Sequence, residues 1–332
     1  MLVYMDATER AQLESEHRKG VLATVHFGAV RQPQQAAPWL AASIPNKPLA
    51  ACPAAEVWPS AGRVSRITVE GAEASADDRS LFVALESPAG SHLGIDALTF
   101  DIYGRLLRGV AHAGYPHILR IWNYVPHIHE ASAGIDRYML FCKGRAEAFA
   151  AHYGHEFSHR LSAASAVGCP GDALVVHMLA SREPGCPIEN PRQIAAHRYP
   201  ERYGPKSPSF ARGTVSGPSW AGTVFVSGTA SIVGHESLFP GDPARQTEET
   251  MRNIEAVLDE GGVPGRGGPL GERLESLRVY VRFPEQQEVI RAAVLATTGR
   301  AVPTAWLQAE VCREELLVEI EAIGLARDRT SA

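Results

Sequence analysis

The chain has 332 residues, of which 45% are hydrophobic and 21% charged, and a formal net charge of -5. That balance predicts a soluble globular protein with room for one large domain or two medium ones. It offers no basic stripe for nucleic acid, no run approaching the roughly 18 apolar residues of a membrane span, and no basic-then-apolar leader in residues 1–10. Cys52, Cys142, Cys169, Cys186 and Cys312 are scattered and form no CxxC pair, which argues against a disulfide framework or zinc knuckle and predicts a cytoplasmic setting.

Residues 28–62, rich in Pro, Ala and Gln, read as a long surface excursion. Residues 64–69 and 80–85 read as strands. Residues 98–111 carry Leu98, Ile102, Leu106, Leu107 and Val110 at helical spacing. Residues 118–125 read as a strand, 137–153 as a helix and 172–179 as a strand. The second half repeats this order: strand 221–233, helix 247–258, strand 277–283, helix 285–297, then strands 303–311 and 316–323. Corresponding helices are offset by roughly 150 residues, which predicts a duplicated α+β chain. The expected division is 1–182 and 183–332.

Between the halves, residues 181–217 hold Arg182, Arg192, Arg198, Arg202 and Arg212 with Tyr199 and Tyr203. Such a stretch reads as an ordered loop lining something anionic. The glycine-rich run 261–271 follows a helix and lacks Gly-Lys-Ser/Thr, so it reads as a cap and turn, not a phosphate loop. His127 and His129 read as hydrogen-bonded histidines at a strand end, since no third ligand stands at metal-site spacing. Cys312 reads as a small strand residue, with a nucleophile as the alternative.

Glu319 and Glu321 share one face of the last strand, opposite Val318, Ile320 and Ala322. Two readings stand: an edge strand with a wet face, or a desolvated carboxyl able to act as an acid. Residues 137–145 taken alone read as an amphipathic helix whose Arg145 snorkels to solvent.

At these residues a resemblance enters. Residues 304–315 with the following LLVEIEAI, the Ser227–Ser231 segment and the helix holding Gln246 and Asn253 resemble the Rid/YjgF superfamily. The segments LRIWNYVP (119–126), RY…KGRA…F (137–149) and GPKSPSFAR (204–212) resemble the chorismatases. The resemblance implies an α+β fold of two Rid/YjgF-like (chorismate-mutase-like) modules, with mixed β-sheets packed against helices. It implies chorismate as substrate, with no metal or organic cofactor; composition leaves no nucleic-acid or membrane partner, and two modules in one chain leave a monomer or a trimer open. It makes Glu319 the catalytic acid, Arg145 and Arg212 the grips on the substrate carboxylates, and Tyr138 and Tyr203 pocket residues. Gly228 and Cys312 match two positions that resemble the hydroxybenzoate-forming members, and both are expected beside the ring. The implied reaction gives pyruvate and 3-hydroxybenzoate, with 4-hydroxybenzoate as a companion product. The alternatives are hydrolysis to a dihydroxycyclohexadiene carboxylic acid, or imine deamination of the Rid type.

Overall fold

The computed structural model describes residues 3–6, 8–9, 20–28, 37–87, 93–132 and 134–324. The first strands are β1 (Val3–Met5), β2 (Val21–Phe27), β3 (Leu40–Ile44) and β4 (Ala55–Pro59), in one sheet ordered β1-β4-β2-β3. Next come β5 (Ser65–Val69), β6 (Ala72–Ala76) and β7 (Ser80–Glu86). Helix α1 (Ile95–His112), β8 (His117–Pro126) and a hairpin of β9 (Ala131–Ser132) and β10 (Ile135–Asp136) follow. Helix α2 (Arg137–Tyr153), β11 (Ala163–Cys169) and β12 (Val175–Ser181) close a six-stranded sheet ordered β11-β8-β12-β7-β6-β5.

The second half builds a sheet of the same size. Its elements are β13 (Cys186–Ile188), β14 (Gly213–Val215), β15 (Val224–Thr229), a hairpin of β16 (Ile232–Val233) and β17 (Glu236–Ser237), α3 (Pro243–Glu260), β18 (Leu274–Val281), α4 (Gln287–Thr298), β19 (Thr304–Gln308) and β20 (Val318–Gly324). The order is β13-β14-β15-β20-β18-β19, and each large sheet contains one parallel pair, β11 with β8 and β18 with β19. The duplicated α+β chain expected from the sequence is thus present as two mixed sheets, each backed by two helices.

Period-two alternation decides what each face meets. In β8, Ile121 and Val125 join Leu98, Ile102 and Leu106 of α1 and Phe141 and Phe149 of α2 in one core. In β20, Val318, Ile320 and Ala322 pack on Met251, Ile254 and Leu258 of α3. The opposite faces look toward each other. There Trp122 and Tyr124 of β8, Tyr280 of β18 and Phe225 of β15 share a third core with Leu22, Val25 and Trp58 of the N-terminal sheet. The two helices of the first half lie close: a Cβ at Gly144 would stand 2.1 Å from the Asp96 carbonyl oxygen, so no larger residue fits there.

Residues 28–62 are not a surface excursion where they are described; residues 29–36 lie outside the described residues. Trp39 is 0% and Trp58 1% exposed, and β3 and β4 are core strands. The segment also bonds to the edge strand β19, through Leu49 N to Trp306 O at 2.9 Å and Gln308 N to Lys47 O at 2.8 Å. Prolines flanking five-residue strands hid the alternation. Strands β6 and β11 carry little strand signature in the sequence, because alanine and serine dominate them. The strand expected over 303–311 stops at Gln308, which leaves Cys312 on a loop, not a strand.

Candidate active site

Where the first half's hairpin and α2 meet β15 and β20, they enclose a cavity of about 370 Å³. The wall includes Tyr138, Tyr203, Arg212, Gly228, Cys312 and Glu319, so six of the seven residues singled out in the sequence converge on one space. Local structure fixes each. Asp136 caps α2 by accepting the Met139 N–H at 2.7 Å, which seats Tyr138 at the helix start facing the cavity. Strand β15 breaks register against β20 between Val226 and Thr229, and Gly228 sits in that irregularity.

Glu319 is 4% exposed, and its side chain has no hydrogen-bond partner among the described residues. Burial, aided by the nearby charge of Glu321, pushes its carboxyl up to about 8, while Arg120 draws it part of the way back. It is therefore mainly protonated at neutral pH. Glu321 on the same strand face is the opposite case. It accepts from Trp122 Nε1 at 2.9 Å and Tyr280 OH at 3.0 Å, and it pairs with Arg120 at 3.2 Å and Arg278 at 3.4 Å. Burial works against its charge, but the two guanidinium groups outweigh it and hold the carboxyl below its ordinary range.

Gly228 has an unexpected neighbour. A Cβ there would stand 1.9 Å from Glu319 Oε1 and 2.8 Å from its Cδ. The bare backbone makes room for the acid itself. Cys312 lies on the wall, and burial, with the charge of Glu319 behind it, pushes its thiol up to about 12. A thiol that stays protonated is no nucleophile near neutral pH, so that alternative loses its reactive form. The Tyr138 hydroxyl is likewise raised by burial and remains a donor.

The cations divide differently from the expectation. Arg212 is buried on the wall; it donates to Ile194 O at 3.0 Å and Tyr199 OH at 2.8 Å, and its Nε has no acceptor among the described residues. Arg145 is 1% exposed and lies over the Phe141 ring at 4.9 Å, with Nε and Nη2 unpaired among the described residues, but it is not part of the cavity wall. It does not snorkel. Arg313, to which the sequence reading gave no role, is on the wall, over Tyr203 at 4.1 Å, with Nη1 bonded to His235 O at 2.9 Å. Its position directly after Cys312 was the available signal. Of the arginine-rich loop, only Arg212 reaches the wall: Arg192 pairs with Glu249, Arg202 with Glu236, Arg182 covers Tyr115, and Arg198 is exposed. Tyr199 joins the wall from the same loop. His127 pairs with Asp172 at 2.9 Å, and His129, on the wall, donates to Val311 O at 2.6 Å. No group of three or more His, Cys, Asp or Glu among the described residues could hold a metal ion.

A neutral buried acid beside two guanidinium groups and several aromatic rings can bind an anionic ring compound and give a proton to it. Comparisons with known proteins point the same way. The family model described as "Chorismatase FkbO/Hyg5-like, N-terminal" matches residues 56–180. The chain is 36% identical over 281 residues, 82% of its length and 81% of the other's, to a 3-hydroxybenzoate synthase of Streptomyces hygroscopicus. It is 34% identical over 276 residues, 81% of each chain, to a chorismatase of Streptomyces rapamycinicus. A crystal structure of a chorismatase superposes with a TM-score of 0.86 at 28% identity, covering 98% of both chains.

Proposed function

The chain belongs to the chorismatase family, and from that premise we propose that it is an enzyme cleaving chorismate to pyruvate and 3-hydroxybenzoate. The observation that carries the mechanism is the Glu319 carboxyl, unpartnered and raised to about 8 at the edge of the cavity. Chorismate is a dianion whose enol ether breaks once its terminal methylene carbon is protonated. Glu319 supplies that proton. Arg212 and Arg313 face the two carboxylates from the wall, and Arg145, a dry and uncompensated cation, adds positive potential from behind.

Protonation makes an oxocarbenium ion. The neighbouring ring hydroxyl then attacks the ring carbon that bears the ether oxygen, that C–O bond breaks, and pyruvate leaves with the oxygen. The hydroxyl proton restores the acid. The epoxide that remains opens, the ring loses a C–H proton, and the epoxide oxygen becomes the phenol. No water is consumed, and the atoms of chorismate equal those of pyruvate plus hydroxybenzoate. Cys312, as a neutral and polarisable thiol on the wall, faces the ring during that opening. The relative named 3-hydroxybenzoate synthase favours this outcome over hydrolysis or imine deamination.

We also take the chain as two modules divided at 182/183, because β12 ends at Ser181 and β13 begins at Cys186. Pairing of the two large sheets within one chain supports a monomer. No helix among the described residues is long and apolar enough to cross a membrane, and the free cysteines agree with a cytoplasmic setting. The test is direct: pure protein with chorismate should yield pyruvate and 3-hydroxybenzoate in equal amounts by chromatography, and the same trace reads any 4-hydroxybenzoate. Absence of pyruvate would overturn the reading.

A further inference from the structure

Two buried carboxylates share one face of β20, and their surroundings differ completely. Glu321 takes donors from β8 (Arg120, Trp122) and β18 (Arg278, Tyr280). Glu319 takes none among the described residues. We propose that Glu321 is a positioning residue for the reaction: pinned as a permanent carboxylate one pleat behind Glu319, its fixed negative charge keeps the proton on the acid. The proposal rests on the reading of Glu319 as the general acid.

The geometry explains why the pinning is needed. Residues i and i+2 of a strand lie roughly 7 Å apart. At an effective dielectric of about 20, a unit charge at that distance moves a protonation equilibrium by roughly tenfold to fiftyfold. A free carboxylate at 321 could not hold that charge, because two buried carboxyls this close titrate as a coupled pair and each would raise the other. Four donors on Glu321 remove the ambiguity.

The other charges facing this strand are accounted for. Arg120, from β8, bonds the Ser165 hydroxyl of β11 and pulls Glu319 toward ionisation. Arg278, from β18, is shared between Glu321 and Glu56 of β4, so its charge is largely spent. Cys312 and Tyr138 stay neutral near neutral pH. Arg212, Arg313, His129, Asp136, Glu314 and Glu315 line the same cavity as Glu319. Glu321 is thus the anion that offsets Arg120 next to the acid.

The sign follows. A general acid works below its pKa, so loss of Glu321's charge should move the alkaline limb of kcat/KM to lower pH. Glu321→Gln keeps the shape and removes the charge. Relative to the wild type it should lose at least about fivefold at pH 8, with the ratio returning toward one near pH 5.5. A merely structural defect would depress every pH equally. Arg120→Gln should move the limb the other way, to higher pH. A readout without turnover separates this proposal from the substrate assignment: the infrared band of the buried Glu319 acid, identified by its loss in Glu319→Gln, titrated in each variant. The expected result is a titration tenfold or more lower in proton affinity for Glu321→Gln, and higher for Arg120→Gln. An unmoved band in Glu321→Gln overturns the proposal. Should that variant not fold, an unmoved or lowered band in Arg120→Gln overturns it.

Discussion

Replacing Gly228 by alanine adds one methyl group at the point where backbone and acid come closest. The new Cβ would lie 1.9 Å from Glu319 Oε1, whereas ordinary contact begins near 3.4 Å. The carboxyl must therefore retreat by roughly 1.5 Å, or the irregular stretch of β15 must shift by as much. Retreat is constrained. Ser165 Cβ would be 3.1 Å from the same methyl, and Val318 and Ile320 lock β20 into the α3 core. A misplacement on the order of 1 Å costs a reacting geometry about a hundredfold. Gly228→Ala should thus lower kcat for pyruvate release by about that factor while the protein stays folded. The assay is pyruvate release coupled to lactate dehydrogenase, with circular dichroism and melting temperature as controls. A folded Gly228→Ala variant with turnover within threefold of the wild type would refute the claim that this glycine exists to seat the acid.

Three further outcomes follow from the same geometry. Pyruvate release should hold from pH 6 to 7 and fall through an alkaline limb near 8, because burial keeps Glu319 protonated up to about that value; a limb below 5, read from a kcat/KM profile, would contradict it. Arg212→Ala should weaken chorismate binding by about 1.5–3 kcal/mol, on the order of ten- to a hundredfold in Kd by calorimetry, since a charge-assisted bond in a buried site is lost. Trp58→Ala should cost about 3–5 kcal/mol in denaturant unfolding, because that ring packs on Phe82, Trp122, Trp220 and Phe225 at 5.3–6.2 Å between the sheets.

Much of the site is legible in the sequence because it is written in short stretches. The alternation Val318-Glu319-Ile320-Glu321 puts two carboxylates on one face wherever the strand sits. Helix α2 was expected over residues 137–153, and the structure forms it over those residues. The resemblance singles out Glu319, but the residue pattern itself does not show why that carboxyl is the neutral one. That depends on Arg120, Arg278 and Glu56, which come from three different sheets and meet only in the folded chain. For the same reason the arginine-rich loop is legible only in part: Arg212, Tyr199 and Tyr203 line the cavity, while Arg192 and Arg202 are neutralised by Glu249 and Glu236 from elsewhere. Arg145 is buried over the Phe141 ring with Nε and Nη2 unpaired among the described residues, a placement that the amphipathic pattern of residues 137–145 does not reveal. Trp39 and Trp58 were hidden by the prolines around them, and only tertiary packing reveals their strands as core.

The central claim is that a single neutral glutamic acid starts the cleavage of chorismate. Glu319→Gln tests it most directly, because the amide keeps the shape and cannot deliver the proton. Rapid mixing of this variant with chorismate at pH 7 should show binding by calorimetry close to that of the wild type, and pyruvate release slower by roughly 10²–10⁴-fold. Binding retained together with near wild-type pyruvate release would contradict the account.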